Sequence, residues 1–455
     1  MSEKNPSRLE FTKKMKKDYT ILIPDMLTIH FKLLERLFND YGYKVKVLYN
    51  QGRPVVDEGL KYVHNDTCYP ALLVIGQMIN ALNSGEYDVN KTALMISQTG
   101  GGCRASNYIH LLRKALTDAG YGHVPVISLN FAGLESNSGF KITLPLLRRA
   151  MAAISYGDFM MLMYNQIRPY EINKGESDAL VNFWVNKVCD HFKHGKDIKS
   201  KDIRFVLHEI AEDFAAIPIK RTPKIKVGIV GEIYVKYAPL GNNNLEQFLY
   251  EQGCEVMVPG LLDFLMYSIY NSSYDYKLYG GSWFMNRVLK IAFNFLNKTK
   301  RMINITLSQY IGFTVPSDFQ HIIKLADGVI SHGVKMGEGW FLTAEMLELI
   351  ELGYSNIVCV QPFGCLPNHI VGRGMLRKIK SMNDAANIVP VDYDPGATKV
   401  NQENRIKLML SIARENMRER QSDNITEISQ YLPAQDIIPA QTAENIKESI
   451  KESIK

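Results

Sequence analysis

Short apolar runs of strand length alternate with stretches of helical period in two blocks of this chain, separated by a long stretch that shows helical period alone. That alternation constrains the fold more than any single residue does, because strands joined through helices pair parallel in one sheet. In the first block residues 19–23, 43–49, 92–97 and 124–130 read as strands, and 28–39, 70–82 and 105–119 as helices. The second block offers strands at 225–230, 254–258, 356–360 and 388–391, and a further short apolar run at Gly328-Val-Ile-Ser331. Its helices are expected at 244–252, 283–298, 341–352, 370–379 and 402–418. The expected fold class is α/β, with two Rossmann-like doubly wound parallel-sheet units and an intervening helical segment. The organisation follows: a basic tail at 1–18, a first α/β domain at 19–141, a helical segment at 142–222, a second α/β region at 223–418 and a tail at 419–455. That last tail ends in a charged repeat around isoleucine at 446–455.

With 455 residues, 46% of them hydrophobic and 22% charged, the chain reads as an ordinary globular protein of two or three domains. The start is basic and polar over 4–17, with no apolar signal region. The most apolar stretch, 144–163, is broken by Arg148, Arg149 and Asp158, so no membrane span is expected and residence in the cytoplasm is. A net charge of +6 without a basic, aromatic-interleaved stripe gives no sign of nucleic acid. In that compartment six cysteines argue for metal or redox chemistry wherever they cluster, and against a disulfide framework.

Three of the six share one kind of setting, a short loop that follows an apolar run and opens a helix. They are Cys68 before Pro70, Cys103 after Gly100-Gly-Gly102, and Cys365 before Pro367. Loops of that kind gather at the carboxyl ends of parallel strands, where helix amino termini present unpaired N–H groups and favour negative charge. Such ends are expected to hold thiol pKa values down, so that thiolates are available as ligands. An iron-sulfur cluster suits three such thiolates, with one iron of a 4Fe-4S cube left for another ligand. Spacing alone leaves open packed cysteines in tight turns, or one catalytic thiol with two bystanders. Zinc fits less well, since structural zinc sites show paired local ligands. Cys189, Cys254 and Cys359 lie inside helix or strand patterns and read as core.

His64, His332 and His369 stand near these loops and could donate protons, supply the missing ligand or be satisfied by backbone. Glu338 opens a helix in a glycine-rich loop and reads as its cap, ahead of a substrate contact. The Gly231-Glu-Ile-Tyr234 turn follows a strand end but lacks the glycine spacing of a dinucleotide fingerprint. No phosphate loop of the Walker type is present, so ATP hydrolysis is not expected of this chain.

The segments Asn65-Asp-Thr-Cys-Tyr-Pro70, Thr99-Gly-Gly-Gly-Cys-Arg104, Gly337-Glu-Gly-Trp340 and Gln361-Pro-Phe-Gly-Cys-Leu-Pro-Asn-His369 resemble those of the 2-hydroxyacyl-CoA dehydratase family. They are similar, more closely, to the carboxyl-terminal module of the large acyl-CoA dehydratase activase-related proteins, over about 18–418. The resemblance implies a 4Fe-4S cluster held at Cys68, Cys103 and Cys365, oxygen sensitivity, and an electron from a separate ATP-hydrolysing iron-sulfur activator. In such dehydratases, which are lyases, the electron reaches the thioester carbonyl of an (R)-2-hydroxyacyl-CoA, and the resulting ketyl radical anion expels the hydroxyl. The activator-like ATPase modules of the fused relatives are absent here, and a double-cubane cluster asks for more thiolates than three. Two roles therefore stand side by side: acyl-CoA dehydration or a related low-potential reduction, and a cluster-carrying electron-transfer or regulatory partner without a substrate of its own. Pairing with a similar subunit, as a homo- or heterodimer, is expected by analogy.

Overall fold

The computed structural model of the chain describes residues 8–99, 101–130, 135–195 and 199–431. Residues through Met409 form one compact unit and residues from Leu410 onward a second. The first unit contains two four-stranded sheets, and every strand pair in both is parallel. Strands β1 (Thr20–Pro24), β2 (Lys44–Leu48), β3 (Thr92–Ser97) and β4 (Val126–Leu129) lie in the order β2-β1-β3-β4. Strands β5 (Lys226–Gly231), β6 (Glu255–Met257), β7 (Asn356–Pro362) and β8 (Asn387–Tyr393) lie in the order β6-β5-β7-β8. The α/β class expected from the alternation is therefore present, and all eight runs read as strands form strands.

The ninth apolar run does not. Val329 and Ile330 both donate to the carbonyl of Ala326 (3.0 Å each), so Gly328–Ser331 is a turn that closes the helix Phe319–Ala326. Central strands are buried along nearly their whole length, as in Ile21, Leu22 and Ile23 of β1 and Val227 to Gly231 of β5. That is the pattern of a parallel strand covered on both faces. Pro390 sits in β8, an edge strand, where a missing N–H costs least.

The intervening residues form the helices Leu144–Ile167, Glu176–Lys193 and Ser200–Ala215. The first of these packs on helix Thr28–Asp40 and also on β6, so it bridges the two sheets. Asp158 fastens it. One carboxylate oxygen pairs with His30 Nε2 (2.8 Å) and accepts the N–H of Leu261 (2.8 Å), and the other accepts the N–H of Leu262 (2.8 Å). A buried carboxylate thereby caps the helix Leu261–Tyr279 from a neighbouring helix. One continuous core follows, from Ile21 and Met95 through Phe159 and Trp184 to Val230, Trp340 and Ile357.

Among the described residues three helices of eight or more residues were not legible as such, Arg53–Tyr62, Leu261–Tyr279 and Phe319–Ala326. The first crosses helix Tyr69–Asn83 at Gly59 and Gly76, so closely that a Cβ on Gly76 would stand 2.2 Å from the Val55 carbonyl oxygen. The helix expected at 370–379 is instead Leu366–Val371, a turn at Arg373–Met375, and Leu376–Met382. The carbonyl of Val371 accepts from the Thr343 hydroxyl (2.8 Å), and the helix ends at Gly372. In the amino-terminal segment Phe11 is buried and its N–H donates to Asn137 Oδ1 (3.2 Å). The last helix, Lys399–Tyr431, extends past the expected end at 418, and the charged repeat at 446–455 lies outside the described residues. Among the described residues no helix is long and apolar enough to cross a membrane.

Candidate functional site

Each sheet reverses its direction of growth beside its first strand, between β1 and β3 and between β5 and β7. Ligands of open parallel sheets dock outside the carboxyl ends of strands at such reversals. Cys103 follows β3, Glu232 follows β5 and Cys365 follows β7, so three of the relevant residues leave strands at those points. Cys68 departs from expectation: helix Arg53–Tyr62, not a strand, precedes its loop. It does open a helix, Tyr69–Asn83, with Pro70 in the first turn.

Five contacts close these segments into a ring. The N–H of Tyr69 donates to the Phe363 carbonyl (2.9 Å), and a Cβ on Gly364 (φ +72°) would lie 2.9 Å from Cys68 Cα, which sets the Cys365 loop directly on Cys68. The Sγ of Cys68 and the Tyr108 hydroxyl are 3.0 Å apart, which links Cys68 to the helix Tyr108–Asp118 that follows the Cys103 loop. On the other side, a Cβ on Gly102 would lie 2.7 Å from Met336 Sδ, and one on Gly337 (φ +60°) 3.2 Å from Pro367 Cβ. The 336–338 segment therefore wedges between the Cys103 and Cys365 loops. The Cys103 loop is itself pinned, since Ser106 Oγ donates to the Gly101 carbonyl (2.7 Å) and Gln98 Nε2 to the Ser106 carbonyl (3.1 Å). Gly100, the first of the three glycines, lies outside the described residues.

Two buried carboxyls join the thiols. Glu232 Oε2 accepts the N–H of Val235 (2.9 Å) and caps the short helix Ile233–Tyr237. Glu338 was expected to cap its own helix, Gly339–Glu351. Its side chain instead accepts the N–H of Ile233 through Oε1 (2.9 Å), because the loop geometry turns it back over the end of β5. Its Oε2 is buried with no hydrogen-bond partner.

The electrostatics run against the expected thiolates. Burial pushes the Cys68 thiol up, against a lowering contribution from the Tyr108 hydroxyl. Burial pushes Cys103 to about 11, and Glu338, Glu232 and Cys68 add to the rise. Cys365 is raised by burial and then by Glu338, Glu232 and Cys103. Helix amino termini are present at all three, but desolvation and acidic neighbours outweigh them. Burial also raises Glu232 and Glu338, with the charge of Glu338 adding to the rise at Glu232. The one buried cation nearby, Lys236, is engaged by Glu345 (2.9 Å).

This donor set fits metal ions that displace protons. Soft thiols select iron-sulfur clusters, zinc or copper(I), and binding deprotonates them. Five acidic groups around one centre, with an orphaned carboxylate oxygen, lack the positive charge that irons would bring. Among the described residues no three His, Cys, Asp or Glu side chains are grouped tightly enough for a single ion; a cube spreads its ligands farther apart than one ion does.

The other candidates fall elsewhere. His64 is exposed, and its Nδ1 accepts the N–H of Asp66 (3.2 Å). His332 bonds the Ile323 carbonyl (3.1 Å) and packs edge-on to Trp340, a backbone-satisfied histidine. His369 is half-buried in the short helix after Cys365. Cys189, Cys254 and Cys359 are buried in the core, the last within 2.9 Å of Gln361 Nε2. Sequence reasoning missed Tyr108, whose signal was its place in the first turn of the helix after Cys103. No family model matches the chain, and no curated protein matches it.

Proposed function

We propose that Cys68, Cys103 and Cys365 hold a 4Fe-4S cluster, and that the chain acts as a 2-hydroxyacyl-CoA dehydratase-type component reduced by a separate ATP-hydrolysing activator. The observation that carries this reading is the convergence of three thiols from remote segments, two of them leaving parallel strands, on one water-poor centre. The repeated strand order supports Rossmann-like units, and the motif resemblance supports the family. The bound cluster would supply a low-potential electron. The chain's own residues prepare its seat: Tyr108 can donate its hydroxyl hydrogen to the Cys68 sulfur, Gly364 and Gly337 bring backbone close, and Cys68 and Cys365 are buried while Cys103 is partly exposed.

The alternative, an electron-transfer or regulatory partner, gains from the closure of the seat: Cys68 is 6% and Cys365 7% exposed. The larger described cavity, about 180 Å³, is lined by Tyr164, Arg168 and Tyr250 and none of the three thiols.

Iron and acid-labile sulfide analysis of anaerobically purified protein, with electron paramagnetic resonance after dithionite, tests the cluster. About four irons per chain and a reduced-cluster signal are expected. Cys68→Ala, Cys103→Ala or Cys365→Ala should each lose iron, whereas Cys189→Ala and Cys254→Ala should retain it. Equal retention in all five removes the ligand set. A change in the reduced signal on adding a 2-hydroxyacyl-CoA selects the dehydratase role; an unchanged signal selects the electron carrier.

A further inference from the structure

We infer that Glu338 is the ligand of the fourth iron, through the carboxylate oxygen that no protein group engages. The inference rests on the cluster reading and adds the donor that three cysteines leave open. Glu338 is 4% exposed, its Oε1 is held by the Ile233 N–H at 2.9 Å, and its Oε2 is buried without a partner. A buried carboxylate oxygen without a partner is costly; others among the described residues belong to Asp25, Glu58, Glu176, Asp263 and Glu345, and the Glu338 oxygen is the one carried by the segment between thiol loops. Its segment stands between two of the thiol loops, with Met336 against Gly102 and Gly337 against Pro367.

Glu232 is the natural competitor, but its Oε2 is committed to the Val235 N–H at the cap of its own helix, whereas Glu338 stands on the segment between two thiol loops with a buried oxygen left over. Of the histidines near the loops, His64 is at the surface, His332 is held by the Ile323 carbonyl, and His369 is only half-buried, where water can satisfy its ring. Glu338 thus adds a hard oxygen donor to three soft sulfurs and makes one iron chemically different from the other three. An oxygen ligand exchanges more readily than a thiolate, so a substrate oxygen or an added thiol reaches that iron by displacing it.

The test uses Glu338→Gln, close in shape and still able to accept from Ile233, with Glu232→Gln as the control. Anaerobically reconstituted wild-type protein should carry about four irons per chain and Glu338→Gln about three, with the signal of a three-iron cluster after mild oxidation. Glu232→Gln should keep about four irons per chain; loss of iron in Glu232→Gln with full iron in Glu338→Gln would assign the ligand to Glu232 and overturn the inference. Adding 2-mercaptoethanol under iron-replete conditions should shift the reduced signal of Glu338→Gln at concentrations that leave the wild type unchanged. Four irons and an identical, thiol-insensitive signal in Glu338→Gln overturn the inference while the cluster reading stands. A wild-type signal that responds to the thiol as the variant's does also overturns it, independently of how the variant folds. Wild-type protein that takes up no iron removes both.

Discussion

Glu348 shows how much one buried side chain can bend the stability of this protein with pH. Burial, followed by the opposing pull of Lys300 and the push of Asp263, holds its carboxyl up at about 7, while its Oε1 accepts the N–H of Ser317 (2.8 Å). In the unfolded chain the same group titrates near the ordinary glutamate value of 4.5. Between these values the folded state binds more protons than the unfolded one, so stability falls as pH rises from about 4.5 to about 7 and is flat above. The loss is at most about 3 kcal/mol, at 1.36 kcal/mol per pKa unit. Glu348→Gln keeps the acceptor for Ser317 and removes the charge, so its unfolding free energy from urea titration should decline less between pH 5 and pH 8 than that of the wild type. An equal decline would locate the dependence in other carboxyls. Residues of this sort are invisible in the sequence, because Glu348 in a helix reads as solvated surface until its neighbours are known. The three cysteines were legible for the opposite reason: glycine and proline beside them fix local backbone whatever packs around.

At the scale of elements, the strands announced themselves and the connections did not. Continuous apolar runs such as Ala93-Leu-Met-Ile96 specify a covered parallel strand by composition alone. Helix Arg53–Tyr62 is short, and its fully buried side consists of Val55 and Gly59, a glycine being a poor helix signal in a sequence. Asp158, which reads in the sequence as an interruption of an apolar helix, is in the fold the joint between three helices. Replacing it with alanine would leave His30 and the N–H groups of Leu261 and Leu262 without their acceptor inside the core. Loss of one partner from a buried charged network costs about 3–5 kcal/mol. Asp158→Ala should therefore lose that much unfolding free energy in urea titration at pH 7, with Asp158→Asn intermediate. A cost below about 1 kcal/mol would mean that the helix Leu261–Tyr279 finds another cap.

For the whole molecule, the candidate site is the place where the two sheets meet through their loops rather than through their cores. Cys68 and Cys103 belong with the first sheet and Cys365 with the second, so any guest bound by all three binds the folded chain and has no counterpart in the unfolded one. Linkage then requires that guest to stabilise the fold. Anaerobic reconstitution with iron and sulfide should raise the midpoint of thermal unfolding by several degrees, and removal of iron by a chelator should reverse it. The same midpoint with and without bound iron would place the metal at a site that does not span the two sheets.

The wide separation of the three thiols along the chain also sets an order of events in synthesis. Cys68 and Cys103 leave the ribosome early, but Cys365 follows only after the helical segment and most of the second sheet have been made. The ring that seats Cys68 is closed by Tyr69 on Phe363 and by the backbone of Gly364, so a nascent chain has no seat to fill. Any guest held by all three thiols would thereby be loaded only after Cys365 has been made, and a chain truncated before β7 would present two thiols without the loop that packs on Cys68.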